Sequence, residues 1–369
     1  MGVLLGVDGG GTKTLCVCLD RETGEERGRA QGPASNLANV GREAALAVVR
    51  KAAAAALEEA GETWADVDAC VCCMAGIDSP AHEQAWARAL RPLFPNADPA
   101  RLKGFNDGVG ALVSGTGGRL EGVVLIAGTG TVALGYTAAG ESARCQGWGP
   151  RFMDQGSGYD LGHRALAMVA RCADGQGVVS LNPDHSAVVQ HLGGQVLTER
   201  VLHHCGCASP AELLDWAYSH PDHATAVTQI AGLARVVLEC AEEDDAAEHV
   251  VREAAAALAC AVGRVRERLP GGRALPLVLA GGLLQASGNA LTEQLLANLE
   301  AADEEDDEDG AGAPPAPVFP AVNAATGAAL LAKGMCEAQH PTDYAYWLVD
   351  KPPDRAGRAR KMSIVDVLL

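Results

Sequence analysis

The 369-residue sequence has no uninterrupted apolar stretch of about 18 residues, the length that a membrane-spanning helix needs. Its beginning lacks the basic region of a secretory signal peptide, and residues 3–7 have instead the pattern of a first β-strand. Gly6 occupies the position where N-myristoylation requires serine or threonine. These absences predict a cytoplasmic protein without membrane attachment, whose twelve cysteines stay free in a reducing compartment.

Positive charge is also scarce: 29 lysines and arginines face 47 aspartates and glutamates, for a net charge of −18. Such a surface repels the phosphate backbone, so we do not expect nucleic acid as a partner. Part of the excess lies in the acidic run 303–309, inside a segment, 300–317, that its composition predicts to be a mobile insertion. Apolar residues make up 48% of the chain, which at this length predicts two domains or one bilobed unit.

Short apolar runs alternate with helical segments, which predicts an α/β protein. A strand, a Gly/Thr turn and a second strand open the chain, and the same pattern returns at residue 122, which indicates a duplicated half. Beyond residue 155 the chain is predicted to be mainly helical. The predicted strands are 3–7, 15–19, 67–74, 101–105, 122–127, 132–136, 275–280 and 318–319, and the predicted helices are 41–60, 80–91, 108–114, 157–172, 185–204, 210–219, 222–243, 246–268 and 323–333.

The first turn contains three consecutive glycines, which let backbone amides approach an anion closely. A threonine hydroxyl and a lysine charge follow them. The preceding aspartate would repel phosphate unless a cation intervened, so it predicts Mg²⁺ held through water. The alternative is an ordinary hairpin turn, which does not need three glycines. The spacing is not that of a P-loop, and the flanking strands argue against a dinucleotide-binding turn. The candidate residues are Asp8, Gly10, Gly11, Thr12 and Lys13.

Two later loops complete a predicted nucleotide site. Gly128, Thr129 and Gly130 form the turn of the second strand pair, and two such hairpins could hold a polyphosphate from both sides. Gly281 and Gly282 follow a buried strand, where a flat ring can lie on the backbone. Adenine is the natural candidate for that ring, so the three loops together predict ATP.

These loops, in this order, resemble those of the sugar kinase, actin and heat-shock chaperone superfamily, and in particular the N-acetylglucosamine kinase family among the BadF-type ATPases. The resemblance covers about residues 3–335. Its most specific part is Gly147-Trp148-Gly149 followed by Asp154-Gln155-Gly156-Ser157-Gly158. The other matching residues are Val7 to Thr14, Ser35-Asn36, Asn106-Asp107, Ile126 to Thr131 and Ala280-Gly281-Gly282.

The resemblance implies an α/β fold of two ribonuclease-H-like, actin-like ATPase lobes with a cleft between them and a helix-enriched C-terminal lobe. The expected N-terminal lobe is 1–117, which carries the sugar side and the first phosphate loop. The expected C-terminal lobe is 118–320. Residues 321–335 are expected to return as a helix to the N-terminal lobe, and no role is assigned to the tail 336–369.

The resemblance also implies phosphorylation of an amino sugar at its 6-hydroxyl by ATP and Mg²⁺. Asp107 matches the catalytic base, although in isolation it reads as a helix N-cap before Gly108. Trp148 either stacks on a sugar face or fills the hinge between the lobes. The sugar-binding matches are Asn36, Gly76, Asp107, Gly147, Trp148 and Asp154, and the nucleotide-binding matches are Thr12, Thr129 and Ala231. Gly76 follows Ala75 where animal-type relatives have serine, so only backbone remains there.

Several alternatives stay open at this point. The preferred amino sugar is not determined, so a glucosamine kinase remains an alternative, and a homodimer is compatible with the resemblance. A second alternative is an ATPase activator of a radical 2-hydroxyacyl-CoA dehydratase or benzoyl-CoA reductase, which would hold an iron–sulfur cluster between subunits. A third is a nucleotide-switched binding module without catalysis. The cluster His203, His204, Cys205 and Cys207 fits no zinc spacing and is predicted to be structural.

Overall fold

Two mixed β-sheets organise the chain. The computed structural model describes residues 2–152, 154–176, 178–181, 187–190, 194–284, 289–305 and 314–337. The first sheet has the order β3-β2-β1-β4-β5, in which β1 runs antiparallel to β2 and parallel to β4, and β4 runs parallel to β5. Its strands are β1 (Val3–Gly9), β2 (Lys13–Asp20), β3 (Glu26–Pro33), β4 (Val67–Met74) and β5 (Leu102–Asn106).

The second sheet repeats this arrangement in the order β11-β6-β7-β8. Strand β6 pairs antiparallel with β7 and parallel with β11, as β1 pairs with β2 and β4. The predicted duplicated half is therefore confirmed. The strands are β6 (Gly122–Ala127), β7 (Thr131–Tyr136), β8 (Ser142–Gln146) and β11 (Leu277–Ala280), and a separate antiparallel pair is formed by β9 (Val178–Leu181) and β10 (Ala187–Gln190).

Helices cover the sheets and separate three apolar cores. Helices α2 and α3 pack on one face of the first sheet, α4 and α11 lie between the two sheets, and α5, α8, α9 and α10 cover the outer face of the second. In the described part of the chain, no single helix is long and apolar enough to cross a membrane, and only α8 with α9, bent by 113°, has the length and composition. The helices are α1 (Leu37–Val40), α2 (Arg42–Ala60), α3 (Pro80–Leu90), α4 (Asp107–Gly115), α5 (Gly158–Ala173), α6 (Gln195–Cys205), α7 (Glu212–Tyr218), α8 (His223–Cys240), α9 (Asp245–Glu267), α10 (Ala290–Glu305) and α11 (Ala324–Glu337).

The core between the sheets depends on small residues. Helix α11 is rich in alanine and glycine, and a methyl group added at Gly327 would lie 2.6 Å from the backbone nitrogen of Ser114 in α4. On the other side, Gly6 of β1 lies directly against the backbone of α11. Close packing of this kind fixes α4, and with it the residue Asp107 that begins it, between the two sheets.

Three predictions about local structure differ from what is observed. The predicted helix 185–204 is strand β10 over residues 187–190 and helix only from Gln195, since the β-branched Val188 and Val189 favour a strand. The predicted mobile insertion 300–317 begins instead as the last turn of α10, where Asp303 forms ion pairs with Arg266 and Arg273. The predicted strand at 318–319 is a single bridge between Val318 and Val278, and residues 306–313 lie outside the described part.

Candidate active site

The carboxyl ends of three parallel strands meet at one edge of the first sheet. The register pairs Gly9 with Met74 and Met74 with Asn106, so β1, β4 and β5 end side by side. Residues that directly follow or end these strands therefore come together, as expected at the binding edge of an open parallel arrangement. This edge carries Asp8, the loop after β4 and Asp107.

Asp107 is the first residue of α4, and its neighbour provides the helix cap. The side-chain oxygen of Asn106 accepts a hydrogen bond from the backbone N–H of Gly108 at 2.9 Å. The interpretation of Asp107 as the N-cap is therefore wrong. Asp107 is exposed to solvent as a residue. Packing of neighbouring protein atoms around its carboxyl group, together with the negative charge of Asp78, raises its pKa. Backbone N–H groups at the start of α4 and the guanidinium of Arg144 oppose this rise in pKa.

The first hairpin has a glycine with open space beside it, close to an aspartate whose pKa is raised. A methyl group at Gly9 would collide with Met74, but one at Gly11 would meet nothing within 4 Å, and Gly11 does not adopt a positive φ. Nothing within the described chain therefore explains a glycine at position 11, whereas a ligand close to the backbone would. Burial and the charge of Asp107 raise the pKa of Asp8 to about 6, and Lys13 lowers it.

A hydrated Mg²⁺ fits this position. Two carboxyl groups whose charges repel, Asp8 and Asp107, would both be stabilised in their ionised form by a nearby cation. No group of three or more potential metal-binding side chains occurs within the described ranges. Asp8 could hold the ion, with most of the remaining ligands supplied by water and phosphate oxygens, which is the usual manner for Mg²⁺.

The candidate sugar contacts on the first sheet are also adjacent. Asn36 caps the short helix α1, with its Oδ1 accepting a hydrogen bond from Ala38 N at 2.9 Å. Gly76, with φ 91°, lies against that helix start, where an added methyl group would be 3.0 Å from Ala38 N. The backbone N–H of Leu37 donates to the carbonyl of Ala75 at 2.9 Å. This bond fixes Asn36 to the loop after β4, on the edge that also carries Asp107.

The second hairpin is seated on the start of helix α5. The backbone N–H of Gly158 donates to Gly128 O at 2.7 Å, and that of Tyr159 donates to Thr129 O at 3.2 Å. Added methyl groups at Gly128 and Gly282 would meet nothing within 4 Å, so these glycines, like Gly11, leave open space beside the backbone. Both loops thus leave their backbone accessible to a ligand.

The proposed adenosine residues lie close to this hairpin. Gly281 has φ 93° and lies directly against the carbonyl of Ala127, to which the N–H of Leu283 donates at 3.1 Å. Ala231 of α8 borders Gly158, where an added methyl group would lie 3.3 Å from the Ala231 carbonyl oxygen. The structure therefore brings Gly128, Thr129, Gly130, Gly281, Gly282 and Ala231 into one region of the second lobe.

A turn of unusual geometry carries the remaining candidates. Residues 146–149 include Gly147 at φ 77°, Gly149 at φ 93° and Gln146 at φ 63°, the one residue other than glycine with positive φ in the described part of the chain. The buried carboxylate of Asp154 accepts hydrogen bonds from Trp148 N at 2.9 Å and Gly149 N at 3.0 Å. Asp154 therefore holds the turn, and one of its oxygens also lies beside Gly130 of the second hairpin.

Trp148 does not fill a hinge. Its side chain is 77% exposed. The one ring contact described for it is with Phe152, at a centroid distance of 6.4 Å. The packing alternative for Trp148 is therefore wrong. An exposed indole beside Gly147 and Asp154 remains suited to stacking on a sugar face.

Two site residues are absent from the sequence-based predictions. Asp78 accepts a hydrogen bond from the side-chain nitrogen of Asn106 at 2.9 Å, and its charge acts on Asp107. It follows β4 by a few residues, so the argument that found Asp107 could also have found it. Arg144 lies on β8, a strand that the sequence pattern did not reveal. No sequence motif includes Arg144, so no signal could have identified it.

Two similar sheets, glycine hairpins at the ends of their strands and an acidic residue between them define an actin-like ATPase fold. The sequence profile of the BadF/BadG/BcrA/BcrD ATPase family matches residues 5–332. The chain belongs to this family, and ATP is therefore its nucleotide.

Named relatives are consistent with this membership. The chain is 30% identical over 312 residues to the N-acetyl-D-glucosamine kinase of Dictyostelium discoideum, covering 80% of this chain and 91% of that protein. It is 28% identical over 288 residues to the N-acetylmuramic acid/N-acetylglucosamine kinase of Clostridium acetobutylicum, covering 77% and 86%. A solved structure from Chromobacterium violaceum, provisionally named an N-acetylglucosamine kinase, is 26% identical with a TM-score of 0.58 and covers 90% of this chain and 99% of that one.

Proposed function

We propose that this protein transfers the γ-phosphoryl group of ATP to the 6-hydroxyl of N-acetyl-D-glucosamine, in the cleft between lobes 1–117 and 118–320. The observation that carries the proposal is the position of Asp107. It begins α4 without capping it and shares its sheet edge with Asp8, Asn36 and Gly76. Curated relatives at 30% and 28% identity are kinases of this sugar, which supports the choice of substrate class.

Asp107 can act as a general base in this arrangement. A sugar hydroxyl is a poor nucleophile near neutral pH, and a carboxylate within hydrogen-bond reach orients it and accepts its proton as the new O–P bond forms. The raised pKa of Asp107 makes it a better proton acceptor than an ordinary aspartate, and the α4 backbone and Arg144 help to keep it ionised. The proton passes to the carboxylate, and ADP leaves with the electron pair of the broken P–O bond.

The two hairpins would hold the phosphates. The open backbones at Gly11 and Gly128 and the hydroxyl groups of Thr12 and Thr129 provide donors for the phosphate oxygens. Lys13 adds a positive charge on the same side as Asp8. Mg²⁺ bound through Asp8 and water would neutralise charge on the β- and γ-phosphates during transfer.

The buried cysteines favour a kinase over an activator that holds a cluster between subunits. All twelve cysteines lie in the described residues: seven are buried, four are half-buried and Cys260 is exposed. Cys70 and Cys73 are buried in β4; the hydrogen bond with Cys72 and burial raise the pKa of Cys70 well above the ordinary value, and burial does the same for Cys73. A thiol must ionise to bind iron, so these groups are poor cluster ligands. An iron assay and an anaerobic absorbance spectrum would detect a cluster.

The proposal is tested by ATP turnover measured against a panel of sugars. We expect ADP release to depend on added sugar and to have its highest kcat/KM with N-acetyl-D-glucosamine, ahead of glucosamine, N-acetylmannosamine, N-acetylmuramic acid and glucose. Turnover that is fastest with glucosamine would show that the protein is instead a glucosamine kinase. Turnover that no sugar stimulates would contradict the proposed function.

Binding of ATP should be visible as thermal stabilisation. ATP with Mg²⁺ is expected to raise the melting temperature, because a ligand that binds only the folded state stabilises it by mass action. EDTA should remove most of this effect if Asp8 needs the metal to tolerate phosphate. Differential scanning fluorimetry with ATP, with and without the metal, makes the measurement. Equal stabilisation in both conditions would contradict the role given to Asp8.

Replacement of Asp154 should act on sugar binding. In Asp154→Asn the amide oxygen can still accept from Trp148 and Gly149 at the Oδ1 position, but the negative charge is lost and an amide nitrogen replaces the second oxygen that Gly149 N also reaches. We expect the KM for sugar to rise by about tenfold or more, the usual effect of losing a charge-assisted hydrogen bond, with a smaller change in kcat. Steady-state kinetics at saturating ATP checks this. An unchanged KM in the folded variant would show that the turn does not bind sugar.

A further inference from the structure

The turn 146–149 is held from two sides by oppositely charged side chains. On one side, Asp154 accepts hydrogen bonds from the N–H groups of Trp148 and Gly149. On the other, the guanidinium of Arg144 donates from Nε to Gln146 O at 3.1 Å and from Nη2 to Gly147 O. Two N–H groups and two carbonyl groups of the turn thus have a charged partner.

The backbone of the turn makes this support necessary. A residue other than glycine at positive φ costs roughly 1–2 kcal/mol, and Gln146 at φ 63° is followed directly by Gly147 at φ 77°. Two consecutive carbonyl groups in this conformation point to the same side, where the planar fork of an arginine can donate to both. An added methyl group at Gly147 would lie 2.6 Å from Arg144 Nη2, so the guanidinium lies directly against this residue.

The same guanidinium connects the turn to the base. Its positive charge lowers the pKa of Asp107, as the backbone N–H groups at the start of α4 also do, and so favours the ionised carboxylate. Arg144 therefore holds the turn on the second sheet by hydrogen bonds while its charge reaches Asp107 on the first. The main chain of Arg144 is held by the pairing of β8 with β7, and its carbonyl also accepts a hydrogen bond from the exposed Arg268 Nη1 at 2.9 Å.

We propose that Arg144 is a positioning residue for the sugar site: by holding the carbonyl groups of Gln146 and Gly147, it fixes the turn 146–149 and its partner Asp154 relative to Asp107. This inference rests on the proposed sugar kinase function and adds a specificity element to it. In the described part of the chain, the Arg144 side chain donates hydrogen bonds to Gln146 and Gly147 and none to the phosphate turns 9–12 and 128–130, so we expect its loss to act on the sugar more than on ATP.

The test compares Arg144→Met, Arg144→Lys and the control Arg268→Met in steady-state kinetics. Arg144→Met should raise the KM for sugar about tenfold or more, because two charge-assisted hydrogen bonds are lost, while the KM for ATP stays within about twofold. Arg144→Lys should recover only part of the loss, since an ammonium group cannot donate to both carbonyls as a fork does. Arg268→Met, which removes an exposed arginine that bonds to Arg144 itself, should leave both KM values within about twofold.

The outcomes separate this inference from the function on which it rests. A wild-type protein without sugar-dependent turnover would overturn the proposed function. An active wild type with an unchanged sugar KM in Arg144→Met, or with equal increases in the KM for sugar and for ATP, would overturn the role of Arg144 alone. If Arg144→Met does not fold, the partial increase in sugar KM expected of Arg144→Lys decides, and full wild-type kinetics in that variant would contradict the proposal.

Discussion

Asp107→Asn is expected to lower kcat by about 10²–10⁴-fold, the usual contribution of a positioned general base. An amide cannot accept the proton of the attacking hydroxyl, although it can still form a hydrogen bond with it. The KM for sugar should therefore change little, and the affinity for ATP should be preserved because the hairpins around Thr12 and Thr129 hold the phosphates. Steady-state kinetics, with circular dichroism to confirm folding, makes the measurement.

The matched control is Asn106→Asp, which changes the neighbouring residue that caps α4. Aspartate caps a helix about as well as asparagine, so the hydrogen bond to Gly108 N survives, and folding should be retained. The bond from Asn106 to Asp78 is replaced by repulsion, which should reduce activity far less than the loss of the base. Near-normal kcat in folded Asp107→Asn would remove Asp107 as the base and leave the proposed reaction without its proton acceptor.

Gly162→Ala should produce the largest loss of stability among single methyl additions to the second lobe. Gly162 of α5 lies directly against the backbone carbonyl of Ile230 in α8, and a methyl group there cannot be accommodated by the movement of a side chain. Overpacking of this kind costs about 1–3 kcal/mol in the free energy of unfolding. We also expect weaker stabilisation by ATP, because separation of α5 from α8 would displace the start of α5 from Gly128. Thermal melting with and without ATP checks both effects.

The same substitution at another helix position should instead increase the free energy of unfolding. Gly263 lies inside α9, and a methyl group there meets nothing within 4 Å. Gly263→Ala should therefore stabilise the fold by about 0.5–1 kcal/mol, the difference between glycine and alanine in a helix interior. If Gly162→Ala were as stable as the wild type, the close approach of α5 and α8 would be incorrect.

The strands that end at the site could be predicted because their patterns are local. Strand β4 is apolar except for Asp68 and has turn residues after it, and its observed bounds, Val67–Met74, agree with those predicted. The glycine hairpins were equally visible, because three successive glycines have few structural uses. Edge strands gave no such signal: β3 contains arginine, glutamine and two glycines, and its pairing depends on β2 and not on its own sequence.

The roles of individual polar residues could not be predicted with the same success, because they depend on contacts far apart in sequence. The choice between Asn106 and Asp107 as the cap of α4 is decided by one hydrogen bond to Gly108 N. The exposure of Trp148 depends on the conformation of a turn that Arg144 and Asp154 hold from opposite sides. Asp303, part of an acidic run by composition, is ordered by two arginines at positions 266 and 273.

The central claim concerns the atom that receives the phosphoryl group, and phosphorus NMR of the reaction product tests it most directly. Wild-type protein, ATP, Mg²⁺ and N-acetyl-D-glucosamine should yield ADP and one sugar phosphate in equal amounts. The phosphorus resonance of that product should couple to the two protons on C6. A phosphate on the anomeric carbon, or inorganic phosphate released without any phosphorylated sugar, would contradict the account.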